Sequence, residues 1–520
     1  MKSIYIWLPF LWVALFLASC KDDSKPEKTM TVPVSAKYSE PYRPQFHFTP
    51  EKMWMNDPNG MVFHKDIYHL FYQYYPDSTV WGPMHWGHAV SKDLLNWEHK
   101  PVALYPDEHG YIFSGSAVLD ASNTSGFGTT ENPPLVAIFT YHDAEIKKAG
   151  KTSYETQGIA YSLDNGDSWT VFEGNPVVDV PDSTDFRDPK VFWHQESGKW
   201  IMTLVAGDHA AFYGSPNLKD WELLGEFGKD IGAHGGVWEC PDLLRFEVAE
   251  TGEEKWVLFI SINPGAPNGG SGTQYFVGDF DGKTFTTDQT EHLWIDWGTD
   301  NYAGVTYSNA PDDEKIFLGW MSNWQYANET PTEDWRGAMT LPRKLDLMKV
   351  GDGFQLFNYP IEKIETLVSE VSSKSIGLEP EATERIPVND LMQSEIRFTT
   401  ASKEFRMVFG NDTKENLVFE MNGADEVVTL DRSRSGLTDF QEDFGEGVQS
   451  MPVPDLPEGS YEVRIFMDAS SIEVFIGEGQ YAMTALVFPK KPYNLLQITN
   501  TSDAELLIGD LTISEVKSVW

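Results

Sequence analysis

The chain has 520 residues, 13% of them aromatic, and a formal net charge of -40. That length points to two domains rather than one, and the surplus of acid excludes a nucleic-acid partner, whose phosphates need clustered Lys and Arg. An anionic polymer is disfavoured for the same reason, which leaves a neutral substrate; aromatic side chains suit the apolar C–H faces of sugar rings.

In chain order, Lys2 precedes an apolar run, IYIWLPFLWVALFLA, that is too short and too abruptly ended for a spanning helix and reads as a processed signal over residues 1–19. The segment LASC resembles the lipobox of bacterial lipoproteins, with Cys20 as the lipidated residue; an ordinary secretory signal ending near a Cys is the alternative. Residues 20–40, in which KDDSKPEKT follows Cys20, read as a polar tether. Lys21-Asp22-Asp23 resembles the surface-export signal of Bacteroidetes lipoproteins, so the expected address is the outer membrane and its outer face, with the periplasmic face as the alternative. Cys20 and Cys240 are the only cysteines, which excludes a disulfide framework and a cysteine zinc site. There is no glycine-rich phosphate loop and no His-Glu-x-x-His pattern.

Residues 41–358 read as strand after strand: HLFYQYY, PLVAIFTY, WIMTLVAG, KWVLFISI and KIFLGWM alternate with Gly, Asn, Asp and Pro turns. A degenerate repeat runs through HWGHAVSKDLLNW, GIAYSLDNGDSW, AAFYGSPNLKDW and YFVGDFDGKTF, each a strand, a polar turn and an aromatic that opens the next strand. Those aromatics, Trp97, Trp169, Trp221 and Phe285, are spaced by 72, 52 and 64 residues. Radial β-blades of about four strands would give such a period; a β-sandwich also repeats hairpins and is the alternative. Helical periodicity appears at PIEKIETLVSEV, which places a linker at 359–371. Residues 372–520 lack the repeat and alternate apolar with polar positions in EIRFTT, FRMVFG, NLVFEM, YEVRIFMD and SSIEVFIG, as an antiparallel sandwich does.

Glycosidic hydrolysis needs two carboxyl groups, one ionised and one holding a proton. Three acids sit in apolar, Pro-containing settings that read as turns at strand edges. Asp57 lies in WMNDPNG; Asp188 lies in DFRDPKVFW beside Arg187, which favours its ionised form; Glu239 lies between Trp238 and Cys240, where apolar neighbours favour the proton. The structural readings stand beside these: Asp-Pro opens many turns, and Arg-Asp is often an ion pair. No Ser or Cys is paired with a His in a way that suggests acyl transfer.

Taken together, WMNDPNG, HLFYQYYP, HWGHAVSKDLLNW, FSGSAV, FRDPKVFW, WECPDL, DWGTDNYAG and SSIEVFIGEG make residues 44–520 resemble glycoside hydrolase family 32, the levanases, inulinases and invertases. The resemblance implies an all-β fold, a five-bladed β-propeller followed by a C-terminal β-sandwich. It implies a retaining mechanism in which Asp57 is the nucleophile, Glu239 the acid and then the base, and Asp188 a transition-state stabiliser. The two working carboxyls would then be about 5–5.5 Å apart. No metal or organic cofactor is implied. Trp54 and Met55 would line the fructose pocket, and Asn56, Gln73, Trp81, Ser114 and Arg187 match positions that contact the fructosyl unit. Phe113, Tyr302 and Trp320 match rim or aromatic positions. Structural readings exist here too, as strand bonding for Gln73, blade packing for Trp81 and core for the last three. Cys240 reads as an inert buried thiol, and His85, His88 and His99 as structural or subsite residues. The substrate expected is a fructan, levan or inulin, with sucrose as a further one, attacked from chain ends. Endo attack, fructosyl transfer, an inverting arabinan-type hydrolase and a binding-only surface lipoprotein are the rivals. The sandwich reads as a brace or an extra sugar contact, and oligomeric state is open.

Overall fold

The computed structural model describes residues 38–249 and 251–520. The expected signal peptide, Cys20 and all but the end of the tether lie outside the described residues.

Five sheets stand in a ring. Their innermost strands are Met53–His64, Tyr111–Leu119, Phe186–His194, Val237–Glu247 and Tyr302–Thr306. Each is the first strand of its blade in sequence, and three antiparallel neighbours follow outward. Trp335–Arg336 adds in parallel to Met53 and Trp54, and Val62 bridges Ser308, so the last blade closes on the first. Strands such as Leu135–His142 are buried along their whole length, because each blade is covered on both faces by its neighbours. That is why they read as continuous apolar runs rather than alternating ones.

The four repeat aromatics occupy one structural position. Trp97 and Phe285 open the outermost strand of their blades, and Trp169 and Trp221 immediately precede it. The turns before them are built alike: Ser91 with Asp93, Ser162 with Asp164 and Ser215 with Asn217 accept the loop's backbone N–H groups. The indoles of Trp97 and Trp221 close the same turn by donating to the carbonyls of Leu94 and Leu218. The polar turn in the repeat is therefore a side-chain substitute for backbone partners.

Two six-stranded antiparallel sheets form a sandwich. One contains Ser394–Thr400, Tyr461–Asp468 and Ser471–Ile476; the other contains Glu404–Gly410, Asn416–Asn422 and Val427–Arg434. Alternation is clean in the second: Phe405, Met407, Leu417, Phe419, Met421, Val428 and Leu430 point into the core between the sheets.

The connection departs from the sequence expectation. PIEKIETLVSEV is not an α-helix; only a 3₁₀ segment forms, at Glu362–Thr366. Its buried residues Ile361, Ile364 and Leu367 recur every three residues, the period of a 3₁₀ helix rather than an α-helix. They pack into the cluster that contains Met61, Tyr68 and Val516, joining propeller to sandwich.

A buried ion network crosses the same boundary. His47 bonds Asp468 through Nδ1 at 2.8 Å and Glu473 through Nε2 at 2.7 Å. Arg343 holds Asp296 at 2.9 Å and also pairs with Glu473.

Candidate active site

All five innermost strands carry a bulge at one level. Between Met55, paired with Tyr74, and Pro58, paired with Tyr72, two residues oppose one. The same two-against-one shift falls after Ile112, Arg187, Glu239 and Tyr302. A bulge re-aims side chains and tolerates Pro within a strand, and Pro58, Pro189 and Pro241 sit at three of the five. The acids therefore lie inside strands, not at the strand-edge turns the sequence suggested. Asp188, Cys240 and Ala303 take left-handed backbone there, with φ of 62°, 44° and 54°. Asp57 and Ser114 lie within their bulges, while Glu239 and Tyr302 stand at the step into theirs. Gly60, at φ 53°, is obligatory: a Cβ would fall 2.6 Å from the Phe71 ring and 2.7 Å from Trp86.

These bulges bring the three acids together. Asp57 is half-buried; its Oδ2 accepts from Ser114 Oγ at 2.7 Å and its Oδ1 from Asn56 Nδ2 at 3.0 Å. Asp188 is buried, and its Oδ2 accepts the Cys240 backbone N–H at 3.0 Å. The Cys240 thiol touches both, 3.5 Å from Asp57 Oδ2 and 3.7 Å from Asp188 Oδ2. Glu239 is half-buried; the Tyr302 hydroxyl donates to its Oε2, and Arg187 Nε lies 3.6 Å from its Oε1.

One guanidinium serves this acidic group. Arg187 also bonds Glu155 at 2.9 Å and Asp185 at 2.6 Å, and His142 meets Glu155 at 2.9 Å. Burial opposes the Arg187 charge, but Glu155, Glu239, Asp188 and Asp185 hold its pKa well above the usual value. The carboxyls go the other way. Burial raises Asp57, against the pull of Ser114, Asn56 and Cys240. Burial and the neighbouring Glu239 push Asp188 well up. Burial raises Glu239; Arg187 lowers it and Asp57 raises it. Like charges around one cation do not all ionise easily, so the three carboxyls titrate above their ordinary range and as a coupled set. Burial also pushes the Cys240 thiol well up, so it is a neutral weak donor here rather than a nucleophile.

The remaining expected residues divide into a rim and a second layer. Trp81 is on the rim, 39% exposed, edge-on to Phe113 at 6.1 Å, and Phe113 stacks on His142 at 4.2 Å. Trp54 and Met55, expected to line the pocket, are completely buried, and so is Trp320, which takes the core position that was the alternative to a rim or aromatic one. Trp54 instead supports the site from behind: its indole donates to Asn56 Oδ1 at 2.7 Å, and its ring stacks on Trp324 at 5.9 Å. Gln73, opposite the Asp57 bulge, donates to Asn59 Oδ1 at 2.7 Å and to the Ile112 carbonyl at 3.1 Å. His85 bonds the Pro83 carbonyl rather than the cluster; His88 pairs with His69; His99 stacks with Trp520 and meets Phe48 at a tilt.

Sequence reasoning missed Glu155, His142 and Asp185, which set the charge of Arg187, and Thr140, whose hydroxyl accepts the Asp188 N–H at 2.9 Å. Asp185 opens the DFRDPKVFW motif itself, two residues before Arg187, while Thr140, His142 and Glu155 lie in no Pro-containing motif, at the facing ends of the strands Leu135–His142 and Glu155–Ser162. Below the acids the axis is closed: Lys190 Nζ donates to Asp242 at 2.9 Å and to the Thr306 carbonyl at 2.6 Å.

Residues 47–360 match the Glycosyl hydrolases family 32 N-terminal domain, and residues 362–515 match the Glycosyl hydrolases family 32 C terminal. A levanase of Bacillus subtilis is 44% identical over 499 residues, covering 94% of this chain and 72% of that protein. An extracellular exo-inulinase of Aspergillus awamori is 41% identical over 496 residues, covering 88% of this chain and 92% of that protein. The crystal structure of exo-inulinase from that fungus superposes with a TM-score of 0.85 at 38% identity, over 93% of this chain and 100% of that one. A fructofuranosidase from Schwanniomyces occidentalis, solved with fructose, superposes with a TM-score of 0.81 at 32% identity, over 93% of this chain and 100% of that one. With both regions matched across nearly the whole described chain, this protein belongs to glycosyl hydrolases family 32.

Proposed function

We propose that this chain is a retaining β-fructofuranosidase that releases fructose from the ends of fructans, levan or inulin, and also cleaves sucrose. The observation that carries the reading is the unequal setting of its half-buried acids. Asp57 accepts from Ser114 and Asn56 and touches the Cys240 thiol, so its charge is well served; Glu239 has one hydroxyl and a guanidinium nitrogen at 3.6 Å. Asp57 is accordingly the nucleophile that attacks the anomeric carbon of the fructosyl unit. Glu239 protonates the leaving oxygen, then takes a proton from the water that releases fructose. Asp188, held by the Cys240 N–H, accepts hydrogen bonds from sugar hydroxyls as positive charge develops on the ring.

Exo action is favoured by the closure of the axis at Lys190, Asp242 and Thr306, since a blind pocket admits a chain end. The relatives' names include levanase and extracellular exo-inulinase. A lipid anchor at Cys20 in the outer membrane completes the reading; the anchor rests on the LASC segment and the membrane on Lys21-Asp22-Asp23. An early time course on levan, inulin and sucrose tests the activity, with fructose as the first product from each. A ladder of oligosaccharides would replace exo with endo action, and the absence of any product would overturn the enzyme reading.

A further inference from the structure

Behind Arg187 stand two carboxylates that no step of the proposed reaction uses. Glu155 is buried at the start of the strand Glu155–Ser162, and its Oε1 accepts from Arg187 Nη1 at 2.9 Å. Asp185 accepts from Arg187 Nη2 at 2.6 Å. Both tips of the guanidinium fork are therefore taken by residues outside the catalytic trio. The nitrogen nearest Glu239 is Nε, 3.6 Å from its Oε1, and that buried nitrogen has no hydrogen-bond partner among the described residues.

An arginine beside a carboxylate frequently forms a two-point pair with it. No such pair forms here: Glu239 has a positive charge close by but no hydrogen bond from it. The difference matters to an acid. A full pair would hold Glu239 ionised, whereas a charge kept at a distance leaves it able to carry a proton to the leaving oxygen.

The two carboxylates are themselves fixed. Glu155 sits opposite His142 in the strand ladder, and His142 Nδ1 bonds the same Oε1 at 2.9 Å while its ring stacks on Phe113 at 4.2 Å. Burial opposes the Glu155 charge, but Arg187 and His142 hold its pKa below the usual range. The Tyr154 hydroxyl donates to Asp185 Oδ1 and accepts the Asp185 N–H, at 3.2 Å each. Adjacent residues 154 and 155 thus anchor both arms. Stability does not account for the arrangement, because Glu155 Oε2 is buried without a partner among the described residues, and an unsatisfied buried oxygen is destabilising.

We propose that Glu155 and Asp185 are positioning residues that hold the Arg187 guanidinium back from Glu239 and so keep Glu239 able to act as the acid. The role rests on the proposed assignment of Glu239; the geometry of the clamp does not. Glu155→Gln keeps the side-chain shape, removes the charge and frees Arg187 to close on Glu239. Asp57, Asp188, Tyr302 and the Cys240 thiol, which also face Glu239, stay as they are. Two readouts follow the Glu239 proton in the full chain: isotope-edited NMR titration of the Glu carboxyls, with Glu239→Gln to assign the signal, and the alkaline limb of kcat/KM on sucrose. Both are expected to move down by about one pH unit. Asp185→Asn should move them the same way by less, because that side chain is 26% exposed and its charge is screened; it decides alone if Glu155→Gln does not fold. In an Arg187→Lys background, which lacks the fork, Glu155→Gln should shift the NMR titration by less than half as much. An equal shift there would mean that Glu155 acts by its charge alone, and would overturn the positioning role. So would a Glu239 titration that stays put or rises in the folded single variants, however much stability they lose. A titration that moves as expected in a protein without turnover would uphold the clamp and overturn the enzyme reading.

Discussion

Two clusters of buried charge lie at opposite ends of the same physical argument. At the mouth, Asp188, Glu239, Glu155 and Asp185 surround the single guanidinium of Arg187, with Asp57 beside Asp188 and Glu239. At the boundary, His47 and Arg343 are set against Asp468, Glu473 and Asp296, and nearly every polar atom has a partner. Gln45 and Phe46 donate backbone N–H groups to Asp468, and Leu341 donates one to Glu473. The consequence shows in the protons. At the mouth burial raises the carboxyls, while Glu473, buried more completely than Asp57 or Glu239, is brought down to about 2 because Arg343, His47 and the Leu341 N–H outweigh desolvation. Burial alone therefore does not decide a carboxyl's proton; the positive charge facing it does, since Asp57 has as many donors as Glu473 but only neutral ones. The mouth is left with unbalanced charge where chemistry needs a mobile proton, and the boundary is balanced where two domains must stay joined.

The largest test of that contrast is removal of charge at the mouth. Glu239→Gln should lower kcat by about 10²–10⁴-fold, the usual worth of a general acid, and Asp57→Asn by about 10⁴-fold or more, as for other nucleophile deletions. Neither should cost stability. A carboxyl whose folded pKa lies above its unfolded value destabilises the fold once pH exceeds the unfolded value, so a neutral isostere removes that burden. Thermal unfolding of both variants should begin at or above the parent temperature. A fall of several degrees would show that the carboxylate is structural and would break the distinction drawn here.

The mirror experiment is at the boundary. Glu473→Gln removes one partner from a buried pair and leaves Arg343 and His47 short of charge, which typically costs about 3–5 kcal/mol. Denaturant unfolding should show that loss, whereas kcat on sucrose, per folded molecule, should stay at the parent value because Glu473 contacts no residue of the mouth cluster. Loss of turnover in step with stability would mean that the two clusters are coupled.

The same contrast explains what could be read in the sequence. Asp57, Asp188 and Glu239 each carry a local signature, since a bulged strand that admits Pro writes itself as Asp-Pro or Cys-Pro beside large apolar residues, whereas Glu155 has none. WMNDPNG, FRDPKVFW and WECPDL are therefore legible, although as turns rather than as bulges. The repeat aromatics were legible because each serves one outer-strand turn. The burial of Trp54 and Trp320 was not, because which residues of a strand reach the pocket depends on a register that the motif does not carry. Nor was the boundary cluster. His47, Asp296, Arg343, Asp468 and Glu473 are scattered over more than four hundred residues, and no short pattern joins them. The linker misled for a related reason: a run of Ile361, Ile364 and Leu367 suits a helix by eye, and only its spacing of three marks the tighter turn.

The smallest expected effect separates the two halves of the boundary cluster. Burial alone would lower the His47 pKa, yet its bonds to Asp468 and Glu473 lift it from 6.5 to about 9. A folded pKa above the unfolded one adds stability that is present in full below the unfolded value and is lost as pH rises through the folded value. Between pH 6.5 and 9 the protein should thus lose stability on the order of 3 kcal/mol from this group. Glu473 has the opposite sign: its contribution stands above pH 4.5 and fades as pH falls toward 2. Replacing His47 with Gln keeps a neutral amide between the two carboxylates and should flatten the alkaline side of the stability profile while leaving an acid-side decline in place. Urea midpoints measured from pH 5 to 9.5 in parent and variant read this directly. An equal alkaline decline in both would show that His47 is neutral in the folded protein and that Arg343 alone neutralises the boundary acids.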